Sequence, residues 1–330
     1  MKANRIIALA IAGAAILTTT AADTDYRKLA ADVNLIVAND LGRNGAHLQR
    51  PIAALMGTVA DQTGPEAVLA LGDTHHYLGV QSVADPLWMT NYELIYDHPE
   101  LQVEWCPVLG NHEYRGDTDA VTGYSDISRR WSMPARYYSR IFHNDGTRVK
   151  VVFIDTAPLI DKYRADSAGY PDAGRQDMEA QLAWLDRELA DREGAEWLVV
   201  AGHHPVFADT DKSRGERADM QARVAPLLRR HKVDMYICGH IHNFQHIRED
   251  ASDIDYVVNS SGSLSRRNVA PVQGIGPTGG EPLKSTERTV FCNGDEGFSL
   301  LAAGHDTLRL HLIDHTGKVI HTVTRHKKSR

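Results

Sequence analysis

The chain has 330 residues, of which 42% are apolar and 24% are charged, and its formal net charge is −7. This is the composition of a globular protein with a sizeable core, and the length suits one large α/β domain. A mildly acidic chain lacks the basic footprint of a general nucleic-acid-binding protein, so we expect no nucleic acid among its partners. The sequence gives no indication of its oligomeric state.

The N-terminus has the pattern of a secretory signal peptide. Lys2 and Arg5 precede an apolar run of about twelve residues, and small residues up to Ala22 follow it. A membrane-spanning helix needs roughly 20 apolar residues, so we expect cleavage rather than stable membrane insertion. The predicted organisation is a signal peptide over residues 1–22 and one domain over residues 23–330. The mature protein is then exported, either to a periplasm or to the medium.

The first two thirds of the chain alternate short apolar runs, typical of buried strands, with stretches of helical spacing. Predicted strands cover residues 34–38, 67–71, 103–109, 149–154, 196–201 and 233–238. Predicted helices cover residues 47–60, 176–193 and 217–231. Such alternation implies βαβ units and a parallel sheet.

The last third is richer in β structure. Short strands are predicted at residues 255–259, 297–302, 308–313 and 319–324, with a hairpin turn between the last two. Residues 262–297 are rich in Gly, Pro, Ser and charge, which predicts a long loop over the site or a mobile insert. We therefore expect an α/β fold, a four-layer αββα sandwich in which two facing mixed β-sheets are flanked by helices.

Five predicted strands end in side chains that commonly ligate metals. In chain order these are Asp40, Asp73, Asn111 with His112, His203, and His240 with His242. Sites in open α/β sheets form beyond the carboxyl ends of the strands, so we expect these side chains to converge. Carboxylate, amide oxygen and imidazole together suit Zn, Mn or Fe. Two adjacent ions need a bridging ligand, and Asp73 is the natural bridge because the other ligands divide around it.

Six segments around these side chains form a recognisable set. They are Asn39-Asp40-Leu41-Gly42, Leu71-Gly72-Asp73, Gly79-Val80-Gln81, Gly110-Asn111-His112-Glu113, Ala201-Gly202-His203-His204-Pro205-Val206 and Cys238-Gly239-His240-Ile241-His242-Asn243. In these segments the chain resembles the calcineurin-like metallophosphoesterases, and within them the tartrate-resistant type of purple acid phosphatase. The resemblance covers roughly residues 33–262 and is poor over the tail. It implies that Asp40, Asp73 and His242 hold one ion. It also implies that Asp73, Asn111, His203 and His240 hold the second, with His112 as proton donor to the leaving group.

One departure from the family affects the first ion. The resembled enzymes have a tyrosine ligand to ferric iron three residues after the bridging aspartate, and His76 occupies that position here. Gly79 follows without a gap, so the register favours His76 as the ligand over Tyr77. An imidazole removes one negative charge and a hard oxygen, which favours a divalent ion and a colourless protein. The alternative is a bulge that returns Tyr77 to the metal.

Further residues near the predicted ligands allow more than one role. Glu113 is expected to orient His112, or else to be a partly exposed acid. Lys212 and Arg214 stand in a loop where the resembled enzymes carry a further histidine, and either bind phosphate or belong to a solvated loop. His204 either lines the pocket or is structural. The remaining histidines are expected at solvated positions, namely His231, His246, His305, His311, His315, His321 and His326.

The resulting hypothesis is an acid phosphatase with two metal ions per chain that hydrolyses small phosphate monoesters. A metal-activated hydroxide attacks phosphorus directly and His112 protonates the leaving group. The first alternative is a phosphodiesterase or nucleotide hydrolase with the same metals. The second is a non-catalytic exported binding protein, which the complete ligand set disfavours.

Overall fold

A computed structural model describes residues 24–210, 212–265 and 287–327 of the chain. The predicted signal peptide lies outside the described residues, and so does most of the predicted loop, over residues 266–286. Within the described part, no helix combines the length and apolar character needed to cross a membrane.

The described residues form thirteen strands and six α-helices. The strands are β1 Val33–Ala38, β2 Ala67–Ala70, β3 Glu104–Pro107, β4 Tyr138–Asn144, β5 Thr147–Phe153, β6 Trp197–Ala201, β7 Met235–Cys238, β8 Phe244–Glu249, β9 Asp255–Val258, β10 Glu287–Asn293, β11 Gly297–Ala303, β12 Thr307–Asp314 and β13 Val319–His326. The helices are α1 Gln49–Thr63, α2 Thr118–Gly123, α3 Asp161–Ala165, α4 Met178–Ala190, α5 Arg214–Arg223 and α6 Ala225–Arg230.

Two mixed sheets organise these elements, which confirms the predicted α/β sandwich. One sheet has six strands in the order β13-β12-β11-β1-β2-β3, and the other has seven in the order β10-β8-β9-β7-β6-β5-β4. β1, β2 and β3 run parallel, and so do β5, β6, β7 and β9. The buried apolar side chains of both sheets belong to one hydrophobic core.

The helices cover the sheets through apolar faces. In α1, Ile52, Met56 and Val59 are buried at spacings of four and three residues, which is one face of a helix. The helix ends where Gly64 adopts a left-handed backbone with φ of 56° and donates its N–H to the Ala60 carbonyl. Glycine tolerates this conformation without steric cost, so the end of α1 is encoded locally.

Several sequence predictions were wrong in detail. The predicted helix 217–231 is two helices, because the chain breaks at Val224 and Pro226 opens α6. β4 and β8 were not predicted, and β10 lies inside the stretch predicted as a loop. These strands mix polar and apolar side chains, so they lack the apolar run on which the predictions relied.

Two histidines predicted at solvated positions are buried instead. His246 and His311 each expose only 5% of their surface. His246 is bonded to Asp255 and to His321, while His311 Nδ1 lies 3.0 Å from the Thr322 hydroxyl. Partners from neighbouring strands make this burial possible, and a single sequence does not reveal them.

Candidate metal centre

The carboxyl ends of five parallel strands converge at one edge of the two sheets. Asp40 follows β1, Asp73 follows β2 and Asn111 follows β3, while His203 follows β6 and His240 follows β7. Within the described residues, the possible ligand atoms form overlapping groups, and the atoms of each group lie within 4.8 Å of one another. The groups are Asp40 with His76 and His242, Asp73 with His76 and His112, Asp40 with Asp73 and His203, and His203 with His204 and His240. The structure thus brings together side chains that are up to 202 residues apart in the sequence, as the strand-end argument predicts.

Asp73 lies at the centre of the cluster. Its Oδ2 atom is 3.2 Å from His203 Nε2, 3.5 Å from His76 Nε2 and 3.8 Å from His112 Nε2. The other oxygen, Oδ1, accepts the backbone N–H of His112 at 2.9 Å. One carboxylate oxygen is therefore fixed by the backbone while the other faces three imidazoles.

Asp40 is oriented in the same way. Its Oδ2 accepts the Asn39 side-chain amide at 2.6 Å and the backbone N–H of His240 at 2.9 Å. Its Oδ1 faces His242 Nε2 at 2.9 Å and His76 Nε2 at 4.0 Å. Both carboxylates thus direct one oxygen into the cluster.

Three imidazoles are held by backbone carbonyls. The Nδ1 atoms of His203, His242 and His112 lie 2.8, 2.7 and 2.7 Å from the carbonyl oxygens of Leu71, Leu264 and Tyr77, respectively. A carbonyl only accepts, so each Nδ1 carries the hydrogen and each Nε2 presents a lone pair to the cluster when the ring is neutral.

His240 is oriented by a carboxylate that the sequence did not single out. Its Nε2 lies 2.8 Å from Glu216 Oε2 in α5, which leaves Nδ1 for the cluster. Glu216 also accepts from Lys162 Nζ at 2.6 Å and from the Tyr163 hydroxyl at 3.0 Å. Burial opposes ionisation of Glu216, but the hydrogen bond and charge of His240 hold its pKa below the ordinary value. Glu216 lies in a helix with no recognisable motif, and only the three-dimensional contact reveals it.

Several buried polar atoms of the cluster have no hydrogen-bond partner in the part of the chain that the structure describes. They are Asp40 Oδ1, both ring nitrogens of His76, Asn111 Oδ1 and His203 Nε2. A buried polar atom without a partner is costly, and such atoms are rare in native proteins. Because these atoms converge and belong to the residue types that ligate Zn, Mn and Fe, the cluster fits bound metal ions.

The charges of the cluster are interdependent. Burial favours the neutral forms, but the charge of His203 and its hydrogen bond hold the pKa of Asp73 well below its ordinary value. Conversely, burial disfavours the His203 cation, yet Asp73 raises the pKa of His203 to about 9. An ion that binds His203 therefore has to displace a proton below that pH.

The backbone around the site is strained. Asp40, Asp73, His240 and His242 adopt φ values of 52°, 53°, 72° and 62°. Such left-handed conformations are unfavourable for non-glycine residues and are concentrated at functional sites. Close approach adds a second constraint, because a Cβ on Gly110 would lie 2.2 Å from Asp73 Oδ1. Gly110 is thus required for the chain to pass so near the central carboxylate.

Glu113 does not orient His112 as expected. It is 1% exposed, and its carboxylate accepts the backbone N–H groups of Asp73 at 2.8 Å, Gly110 at 2.7 Å and His75 at 3.1 Å. Burial, with the charge of Asp73, raises the pKa of Glu113 to about 7. Glu113 therefore fixes the loops after β2 and β3 relative to each other.

His76 and Tyr77 have opposite environments. His76 is 5% exposed, and its ring lies 4.2 Å from that of His112 and 5.7 Å from that of His242. Tyr77 is 60% exposed. The structure therefore places the imidazole, and not the phenol, inside the cluster.

His204 has a structural environment. It is completely buried, with Nδ1 2.7 Å from the Thr156 hydroxyl and Nε2 3.0 Å from the Tyr163 hydroxyl. Burial, with the charges of His240 and His203, holds its pKa well below the ordinary value. Both ring nitrogens are thus engaged away from the cavity.

A cavity of about 230 Å³ opens over the cluster. Its lining combines predicted ligands with aromatic and cationic side chains, namely Arg43, Asp73, His76, Tyr77, Asn111, His112, Arg115, Lys162, Tyr163, Tyr170, Lys212, Ser213, His240 and His242. The lining therefore combines candidate metal ligands, among them Asp73, with the cationic side chains of Arg43, Arg115, Lys162 and Lys212.

Residues 33–244 match the calcineurin-like phosphoesterase family profile, which spans well over half of the chain. The chain belongs to the calcineurin-like phosphoesterase family. Purple acid phosphatase 4 of Arabidopsis thaliana is 32% identical to it over 241 residues, covering 71% of this chain and 69% of that protein. Tartrate-resistant acid phosphatase type 5 of Oryctolagus cuniculus is 33% identical over 217 residues, covering 64% and 66% of the two chains.

The fold of this calcineurin-like phosphoesterase is also found in a solved structure from Plasmodium. GAP50, described as the anchor in the inner membrane complex, superposes with a TM-score of 0.74 at 22% identity over 90% of each chain. At this identity the likeness concerns the fold alone. The purple acid phosphatase family uses a dinuclear metal centre, and this chain has buried histidine and aspartate groups positioned to bind metals.

Proposed function

We propose that this chain is an exported phosphatase that hydrolyses small phosphate monoesters with two metal ions. One ion is held by Asp40, Asp73, His76 and His242. The other is held by Asp73, Asn111, His203 and His240. The observation that carries the proposal is the set of buried oxygen and nitrogen atoms that have no partner among the described residues and that belong to overlapping groups of possible ligands.

Distances between the side chains support this division of ligands. His242 and His76 share the neighbourhood of Asp40 Oδ1, whereas His203 is nearest to Asp73. Asp73 Oδ2 lies near both His76 and His203, so Asp73 would be the ligand shared by the two ions. When bound, two such ions lower the pKa of a water molecule and neutralise charge on the phosphate.

His112 supplies the proton to the leaving group. Its Nδ1 donates to the Tyr77 carbonyl, so Nε2 is the nitrogen that faces the cavity. Burial lowers the pKa of His112, with Asp73 acting in the opposite direction. The proton-donating form therefore accumulates in acid, as an acid phosphatase requires.

His76 sets the character of the first site. A neutral imidazole beside Asp40 and Asp73 replaces the tyrosinate of the resembled enzymes, which lowers the negative charge by one. The site then favours a divalent ion over Fe(III), and the protein has no tyrosinate-to-iron colour.

The alternative of a phosphodiesterase or nucleotide hydrolase uses the same ligands and differs only in the substrate pocket. Turnover of p-nitrophenyl phosphate and of bis-p-nitrophenyl phosphate by protein with measured metal content separates the two. We expect two ions per chain and a preference for the monoester. Two ions with a preference for the diester would favour the alternative, and protein without bound metal or turnover would refute the proposed function.

Export is proposed on the N-terminal pattern of residues 1–22. Mass spectrometry of the mature protein from its natural compartment should give a chain that begins at Asp23. A full-length chain retained inside the cell would contradict this assignment.

A further inference from the structure

One cation in the cavity wall has no counterpart among the predicted ligands. Arg43 lies in the loop after β1, three residues beyond Asp40, and lines the cavity together with His76, Tyr77 and His112. It belongs to none of the motif positions that resemble the family.

The guanidinium of Arg43 is buried, and the described residues offer no acceptor to its Nε and Nη1 atoms. The residue is 9% exposed, and neither Nε nor Nη1 has a hydrogen-bond partner. Within the part of the chain that the structure describes, Arg43 forms no ion pair with a carboxylate. A buried charge without hydrogen bonds is unfavourable unless a ligand supplies them.

The surrounding structure holds Arg43 in place. Its backbone N–H donates to the Gln49 side chain at 2.9 Å. The preceding Gly42 passes so close to the chain that an added Cβ would lie 2.0 Å from the Thr74 carbonyl oxygen. The guanidinium carbon lies 4.6 Å from the centre of the Tyr77 ring, where a cation–π contact partly stabilises the charge. Arg43 is therefore positioned in the pocket before any ligand binds.

The other cations of the cavity wall differ from Arg43. Lys162 is 2.6 Å from the Glu216 carboxylate, and Lys212 donates to the His240 carbonyl at 3.3 Å. Arg115 is exposed, and its Nη2 donates to the Tyr170 hydroxyl at 3.1 Å. Among the described residues that line the cavity, Arg43 thus combines burial with two guanidinium nitrogens, Nε and Nη1, that have no acceptor.

We propose that Arg43 binds oxygen atoms of the substrate phosphate and makes the site prefer dianionic monoesters to monoanionic diesters. The inference rests on the proposed function, because it takes the substrate to lie in this cavity. Guanidinium donors match phosphate oxygens in charge and geometry better than an ammonium group does. The added positive charge interacts more strongly with a dianion than with a monoanion.

Three variants test this role in the metal-loaded protein. Arg43→Met removes the donors, and Arg43→Lys keeps the charge without the planar group. Arg50→Met is the matched control, since Arg50 is exposed and lies against Gly45 of the same loop without lining the cavity. The measurements are the dissociation constant of inorganic phosphate by calorimetry, KM and kcat for mono- and diester, metal content, and Tm without phosphate.

We expect Arg43→Met to weaken phosphate binding by about 10–100-fold, the range for hydrogen bonds to a charged group. KM for the monoester should rise to a similar extent, while KM for the diester rises less and metal content stays at the parental value. For Arg43→Lys, the phosphate dissociation constant and the monoester KM should lie between those of the parent and Arg43→Met. For Arg50→Met, both should match the parent. The Tm of Arg43→Met without phosphate should be equal to or above that of the parent, because an unpaired buried charge has been removed.

A phosphate dissociation constant within twofold of the parent in Arg43→Met would overturn the inference. Equal increases in KM for the monoester and the diester would overturn the proposed preference for dianionic monoesters. A lower Tm with unchanged phosphate affinity would show a structural role instead. Absence of turnover in the parent would refute the proposed function separately, because calorimetry with phosphate still decides whether Arg43 binds the anion.

Discussion

Two buried clusters of histidine and aspartate occupy different parts of this molecule. One is the candidate metal centre at the carboxyl ends of the parallel strands. The other joins the two sheets, where His246 of β8 contacts Asp255 of β9 and His321 of β13. Both clusters contain histidine and aspartate, but they differ in whether the polar atoms of these side chains have hydrogen-bond partners.

The buried ring and carboxylate atoms of the second cluster have partners within the protein. His246 Nε2 lies 2.8 Å from Asp255 Oδ1, and its Nδ1 shares a hydrogen bond of 3.1 Å with His321 Nε2. Arg248 and Arg325 donate to the two oxygens of Asp255 at 2.6 and 3.0 Å. None of the buried side-chain atoms of His246, Asp255 or His321 lacks a partner.

Among the described residues, the candidate metal centre instead leaves converging atoms without partners, although His246 and Asp255 of the second cluster are buried as well. Burial and composition therefore do not distinguish a ligand site from a structural network. The distinguishing feature is whether the ring and carboxylate atoms find acceptors and donors within the protein. This difference predicts that substitutions in the first cluster change metal content, whereas those in the second change stability.

The largest effect is expected for Asp73→Ala. Because Asp73 contacts both halves of the site, we expect loss of both ions. Turnover should fall by at least about 10³-fold, since a metal supplies several kcal/mol of transition-state stabilisation. Metal analysis and a monoester assay measure both. A variant that still holds two ions per chain would show that Asp73 is not the bridge.

His76→Ala should remove one ion. His76 lies near Asp40 and Asp73 but outside the neighbourhood assigned to Asn111 and His203, so the second ion should remain. Tyr77→Phe is the control and should leave metal content and activity nearly unchanged, because the ring is 60% exposed. The iron-loaded parent should be colourless, and a visible tyrosinate band that disappears in Tyr77→Phe would refute the role of His76.

His112→Ala should retain both ions and lower turnover by roughly 10²–10⁴-fold, as expected for a lost general acid. The loss should shrink for substrates with good leaving groups, which need less protonation. A series of phenyl phosphates of graded leaving-group pKa measures this. An equal loss across the series would instead indicate that His112 binds phosphate.

Asp255→Asn should leave metal content and turnover unchanged and lower the free energy of unfolding by about 1–3 kcal/mol. Burial opposes ionisation of Asp255, but the hydrogen bonds of His246 and Arg248 lower its pKa to about 2. Because the pKa of Asp255 is lower in the folded protein, its carboxylate stabilises the fold at pH values above 3.8, the ordinary pKa of the group. This stabilisation is lost as the pH falls towards 2. Denaturant unfolding between pH 2 and 7 should show a weaker acid dependence in the variant. A loss of bound metal in Asp255→Asn would contradict the assignment of the second cluster as a structural network.

The sequence predicted much of this arrangement because strand ends carry local signals. Apolar runs followed by Asp40, Asp73, Asn111, His203 or His240 identified both the strands and the side chains at their ends. The gap-free spacing from Asp73 to Gly79 also placed His76, rather than Tyr77, where the structure has the buried ring.

The features that could not be predicted from the sequence depend on contacts between distant segments of the chain. Glu216 acts on His240 across 24 residues, and Glu113 fixes a loop 40 residues away. Burial of His246 depends on Asp255 and on His321 of the opposite sheet. Arg43 has an unremarkable local sequence, and only its burial beside Tyr77 without an acceptor reveals it.

Anomalous diffraction from crystals grown with zinc tests the central claim most directly. We predict two peaks flanking Asp73, one of them about 2.0–2.1 Å from a ring nitrogen of His76 and none at His246 or His321. A single peak, a peak bonded to the Tyr77 hydroxyl in place of His76, or a peak at the His246–His321 contact would contradict the account.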